Sequence, residues 1–148
     1  MSVDHEDTGA QDVLVAMVRL PERELLDAMG FVRLLSVDPG AGRVRAEFDA
    51  QSRFCHTNGT TVQGGFITAW LDFTMAQAAI LHAGRDAGIA SLEIKVSFLQ
   101  RVGQGRVIGD GRIARIGRRV AFLEASLESP ADGTVLATAS SSALILRG

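Results

Sequence analysis

Val62-Gln63-Gly64-Gly65-Phe66 leads into the one long helical segment of the chain, roughly Gly64 to His82, and that segment decides the fold. Phe66, Ile67, Trp70, Leu71, Phe73, Thr74, Ala78 and Leu81 cover more than one helix face, while Ala69, Ala76, Ala78 and Ala79 keep the helix slim. A helix with so few charges belongs inside, wrapped by other structure. Asp72 is its only acid. The Gly-Gly pair permits close backbone approach at a helix start, where first-turn N–H groups lack intrahelical partners. Such donors can grip a carbonyl oxygen while a nearby carboxylate works on water or on the carbonyl carbon.

On the N-terminal side, residues 1–11 are polar and expected to fray. Apolar positions from Asp12 to Met29 favour helix, restarted near Pro21, with Asp12 a candidate cap and Gly30 the stop. Phe31 to Val37 reads as a strand. The Pro39-Gly40-Ala41-Gly42 turn and the alternating Arg43 to Phe48 segment complete a hairpin. Gln51 to Val62 reads as an irregular, polar stretch.

Strands dominate after the 84–88 turn. In Ile89 to Leu99, Leu92, Ile94, Val96 and Phe98 alternate with Ser91, Glu93, Lys95 and Ser97. Arg106 to Ile116 contains Gly109 and Gly111, where bending is expected. Arg118 to Ser129 and Thr134 to Leu146 follow, joined by short turns that make the last three strands antiparallel neighbours. The expectation is α+β: a curved antiparallel sheet of five to six strands around one long central helix, in a single domain over 12–148. Open sheet edges call for pairing between two subunits.

With 148 residues, 47% hydrophobic and 22% charged, the chain is long enough to bury a core. A net charge of −2 gives no support for a nucleic-acid partner, although only Lys95 among the 15 cations is lysine. The lone Cys55 excludes an internal disulfide, and three histidines without partners at ligand spacing make no metal site. No run approaches the about 18 apolar residues of a membrane span, and the acidic start has no leader-like core. A cytoplasmic protein without membrane partner is the expectation.

Over residues 30–146 the sequence resembles the PaaI-like branch of the hotdog-fold acyl-CoA thioesterases. The resemblance is carried first by Arg53-Phe54-Cys55-His56-Thr57-Asn58-Gly59-Thr60-Thr61-Val62-Gln63-Gly64-Gly65, then Leu71-Asp72. Family members have an Asn, a short loop with Gly, Val-His-Gly-Gly or Val-Gln-Gly-Gly, and an Asp seven residues past the second Gly. Gly65 and Asp72 keep that spacing. Ser91-Leu92-Glu93-Ile94-Lys95-Val96-Ser97-Phe98-Leu99 is similar to the family strand that begins with a hydroxyl residue near the site. The segments around Arg115-Ile116-Gly117-Arg118-Arg119 and Ala137-Thr138-Ala139 also match. One departure concerns Asn58, five residues before Gln63 rather than the family's six or seven. Whether His56, Thr57 or Asn58 faces a thioester stays open.

The resemblance implies a hydrolase acting on a small-acid or aromatic acyl-CoA, in a dimer or dimer of dimers with the site at the subunit interface. Asp72 would be base or nucleophile. Gly65 would present its N–H to the carbonyl oxygen. Gln63, which cannot carry charge, would orient the carbonyl or brace the loop. Asn58 and Ser91 complete the candidates, with Ser91 bonding the attacking water or the carboxylate of the facing subunit. Arg115, Arg118 and Arg119 suit the phosphates of coenzyme A, and no metal or redox cofactor is implied. Trp70, Phe73 and Met75 read as core or acyl-pocket lining. A non-catalytic acyl-CoA binder or scaffold, an acyl-carrier-protein thioesterase and an enoyl-CoA hydratase stay open as alternatives. The hydratase lacks its Asp-His dyad, since the next histidine after Asp72 is His82.

Overall fold

The computed structural model describes residues 3–147. Its elements in chain order are α1 (Val3–Met17), α2 (Arg23–Ala28), β1 (Phe31–Asp38), β2 (Arg43–Ala50), a 3-10 turn (Ser52–Phe54), β3 (Cys55–His56), β4 (Thr61–Val62), α3 (Gly64–Ala83), β5 (Gly88–Phe98), β6 (Gly105–Ile116), β7 (Val120–Glu128) and β8 (Val135–Leu146). Six strands form one antiparallel sheet in the order β1-β2-β6-β7-β8-β5. This is the hotdog architecture, with α3 as the filling.

Two glycines let the helix lie directly on the sheet. A Cβ on Gly111 would strike the backbone carbonyl of Thr74 and come within 2.8 Å of the Met75 nitrogen, and one on Gly109 would come within 2.6 Å of Thr74 Oγ1. Close approach, not bending, explains these residues. The irregularity in β6 falls later, between Ile113 and Arg115.

Around the contact, Trp70, Leu71 and Met75 are fully buried. Trp70 stacks on Phe48 and donates its indole N–H to the Met29 carbonyl at 2.7 Å. That bond ties the central helix to the end of α2 and satisfies the one polar atom of the largest core side chain. Phe73 is also buried, against Phe31 and Phe48. Trp70, Phe73 and Met75 therefore belong to the core.

The N-terminal helix starts earlier than the residue pattern suggested. α1 already begins at Val3, inside the segment expected to fray, and Asp12 lies within it rather than capping it. Gln11 explains its docking. Its side-chain amide donates to the Leu34 carbonyl at 2.9 Å and accepts from the Leu34 N–H at 2.7 Å, so the helix satisfies the outer edge of β1 at that point. The opposite edge strand, β5, carries exposed Leu92 and Phe98, with exposed Leu99 just past its end.

Candidate active site

Asp72 lies mid-helix on α3, flanked by the buried Leu71 and Phe73, and is itself half-buried. Its Oδ1 accepts a hydrogen bond from the Ser91 hydroxyl at 2.7 Å. Among the described residues it forms no ion pair. The carboxylate is thus positioned by a neutral donor, and its remaining lone pairs stay available.

The contact exists because β5 is irregular. Ser91 pairs with Ala143 and Glu93 with Ser142, which leaves Leu92 as an extra residue between them. Strict alternation would put Ser91 on the outer face with Glu93 and Lys95. The bulge turns it toward α3, onto the side of Ile94 and Val96. Within the chain, Ser91 reaches Asp72 of the same subunit.

At the start of α3, Gln63 is the N-cap residue. Its Oε1 accepts from the Gly65 N–H at 2.8 Å, and its carbonyl accepts from the Phe66 N–H at 3.0 Å. Of the two readings of Gln63, the brace is the one the geometry displays. The Gly65 N–H is occupied by this side chain in the isolated protein. A Cβ on Gly65 would sit 2.6 Å from Gln63 Oε1, so glycine is what admits the cap.

Gly65 and Asp72 share one side of the helix, since seven residues make nearly two turns. They are separated by about 10 Å along its axis.

Asn58 and Gly59 form the tip of the β3–β4 hairpin. Both have positive φ (56° and 78°), as the central pair of a type I′ turn requires, and the Thr60 N–H closes it on the Thr57 carbonyl at 3.2 Å. Thr57 is also left-handed, at φ 53°. Gln51 to Val62 is thus not irregular: its Asn-Gly dipeptide is a hairpin signal that sequence reasoning passed over. The tip is held from outside by Arg101 on the Thr60 carbonyl and Gln104 on the Gly59 carbonyl, both at 2.6 Å. These two residues were not among the main candidates. Asn58, Thr57 and His56 are exposed.

Arg115, Arg118 and Arg119 are exposed around the β6–β7 hairpin. The Arg119 carbonyl accepts from the Ile145 N–H, which places the hairpin by the C-terminal end of α3, away from Gly65. Ser91, Ala143 and Ala121 form one row across β5, β8 and β7. Arg119, two residues before Ala121, therefore lies on the order of 10 Å from Ser91, and Arg115 on β6 is a strand farther away. The structure brings together Asp72 with Ser91, and Gln63 with Gly65; the arginine hairpin stands nearer the first pair, Asn58 nearer the second.

Among the described residues, two surface hollows bear on the site. A cleft of about 350 Å³ opens at the N-terminal end of α3, between Gly64, Ile67 and the end of β5. A larger one of about 710 Å³ lies on the outer face of the sheet, away from α3. Its charges are largely answered, Arg43 by Asp110 and Arg112 by Glu124 within the lining, and Glu128 by the adjoining Arg45. The Asp110 carboxylate raises the pKa of Arg43 above its ordinary value. The smaller cleft adjoins the candidate donors.

Residues 59–136, more than half of the chain, match the family described as thioesterase superfamily. This chain belongs to the thioesterase superfamily. Among solved structures, a phenylacetic acid degradation-related protein from Ralstonia eutropha JMP134 is 29% identical, with a TM-score of 0.76 over 84% of this chain and 92% of that one. A thioesterase family protein from Silicibacter pomeroyi is 22% identical, with a TM-score of 0.76 over 97% and 96%. The phenylacetic acid degradation protein PaaI from Thermus thermophilus is 21% identical, with a TM-score of 0.70 over 82% and 97%. At their identities the last two bear on the fold alone. No curated protein matches the chain. The PaaI-like resemblance stands, and superfamily membership supports thioester hydrolysis as the general activity. Among the described residues no helix is long and apolar enough to cross a membrane.

Proposed function

We propose that this chain is an acyl-CoA thioesterase whose sites form between two subunits. The observation that carries the reading is Asp72: a half-buried carboxylate free of ion pairs among the described residues, aimed by Ser91, on the same helix side as the Gly65 N–H. The reading draws the N–H donor from one subunit and Asp72 from the other. The edges support it too, because Gln11 covers β1 at Leu34 while β5 stays open for pairing.

In this mechanism the thioester carbonyl oxygen displaces Gln63 Oε1 from the Gly65 N–H and takes its hydrogen bond. Asp72 removes a proton from water, and the resulting hydroxide attacks the carbonyl carbon. Negative charge collects on the oxygen held by the helix start. The C–S bond then breaks, the free acid stays behind, and the coenzyme A thiolate recovers the proton from Asp72. The direct alternative forms an aspartyl anhydride with loss of the thiolate, and water then cleaves it. A thiolate leaves readily, so one carboxylate and oriented donors suffice without a Ser-His-Asp triad.

Arg115, Arg118 and Arg119 contact the coenzyme A phosphates on the Asp72 side of the boundary. The working unit is a cytoplasmic dimer or dimer of dimers, with residues 12–148 as one domain. Small-acid and aromatic acyl groups are the substrate class.

One observation favours a second reading. Gln63 already fills the Gly65 N–H, as a binder without chemistry would tolerate. Thiol release from a panel of acyl-CoAs, with absorbance of an enoyl thioester followed in parallel, tests the proposal. Thiol release without loss of the double bond is expected. Acyl-CoA binding without thiol release would favour the binder, and loss of the double bond would make the chain a hydratase.

A further inference from the structure

We propose that Phe98 sets the length of the acyl group that this chain accepts, and that the group is compact and largely apolar. The inference rests on the hydrolase reading for its reaction but on the cleft for its selectivity. The cleft of about 350 Å³ at the head of α3 is walled by Val62, Ile67, Phe98 and Leu99, with Gly64 at its base and Arg101 among its lining residues. Its volume is at the small end for ligand sites. Arg101 is the cation of this lining, at its rim, and donates one N–H to the Thr60 carbonyl.

The position of the Phe98 ring depends on the missing side chain at Gly64. A Cβ there would meet ring atoms Cζ at 3.1 Å and Cε1 at 3.2 Å, so the ring lies against the first residue of the helix. Yet the side chain is 56% exposed, on the last residue of an edge strand. A ring packed on one face and, in the single chain, open on the other partly covers the cleft. A carbonyl bound at the adjoining N–H groups would send its acyl chain past this ring. Of Trp70, Phe73 and Met75, which sequence reasoning offered as core or acyl-pocket lining, none borders this cleft, whereas Phe98 does.

The test compares straight-chain acyl-CoAs from acetyl to dodecanoyl in wild type, Phe98→Ala, Phe98→Leu, Gly64→Ala and the Gly64→Ala/Phe98→Ala double variant. Wild type is expected to favour the short end. Phe98→Ala raises the decanoyl-to-butanoyl ratio of kcat/KM by about tenfold, with Phe98→Leu between. Gly64→Ala obliges the ring to give way by a few tenths of an ångström and so shifts the chain-length profile, and the double variant loses that shift because no ring remains to move. A ratio is unaffected by a partly unfolded fraction, and the Leu variant serves where the Ala variant fails to fold. Should no thiol be released, titration calorimetry with the same panel reads the ratio from binding. A shifted binding profile then keeps the Phe98 inference while hydrolysis falls. Profiles of wild type and the Phe98 variants agreeing within about twofold, or no acyl-CoA binding at all, overturn it.

Discussion

The Ser91 hydroxyl donates to Oδ1 of Asp72 at 2.7 Å, joining the bulged edge strand β5 to the middle of α3 within one chain. This bond fixes which way the carboxylate faces. Removing it by Ser91→Ala leaves Asp72 charged but less well aimed. A hydrogen bond to a charged group contributes about 1.5 kcal/mol or more, so kcat should fall by roughly tenfold with KM little changed. Steady-state thiol release measures the split. A KM effect alone would place Ser91 in substrate binding instead.

Gln63 makes the opposite prediction. Its amide caps α3 through the Gly65 N–H, and the mechanism requires that N–H for the carbonyl oxygen. Gln63→Ala should lower stability by about 1 kcal/mol through loss of the cap. It should also hold or raise kcat/KM, because a resident competitor has gone. Denaturant melts and thiol release check the two halves separately. A fall in kcat/KM of about a hundredfold would show that the amide itself contacts the reacting carbonyl.

Gly111→Ala probes the fold without touching the candidate site. The new methyl would meet the Thr74 carbonyl and the Met75 nitrogen, which are helix backbone and cannot rotate aside. Forcing α3 off the sheet should cost about 1–3 kcal/mol, seen as a lower denaturant midpoint. Gly133, with open space around the added Cβ and φ at 71°, provides a turn control in which only local backbone strain is at issue.

The central helix was legible because an apolar run covering several helix faces must be buried on all of them. Gly64 to His82 differs from the observed Gly64–Ala83 only at its end. Strands β6, β7 and β8 were legible as antiparallel neighbours from their short turns. Asp72 was conspicuous as the single acid on that helix. The face of Ser91 was hidden, since Leu92, Ile94, Val96 and Phe98 alternate as though β5 had no bulge. A bulge is settled by how two strands fit, which one strand's pattern does not reveal. The early start of α1 at Val3 depends on docking through Gln11 against Leu34, again a tertiary contact. Asn58-Gly59 is different: the turn signal was present, and its polar surroundings masked it.

The most direct measurement is single-turnover thiol release by Asp72→Asn, alongside its acyl-CoA binding and its oligomeric state. The amide keeps the shape and a hydrogen-bonding oxygen for Ser91, but it neither takes a proton from water nor attacks a carbonyl. Release slower by about a hundredfold or more, with binding and assembly retained, is the predicted result. Release at the wild-type rate would contradict the account and leave Asp72 without a chemical role.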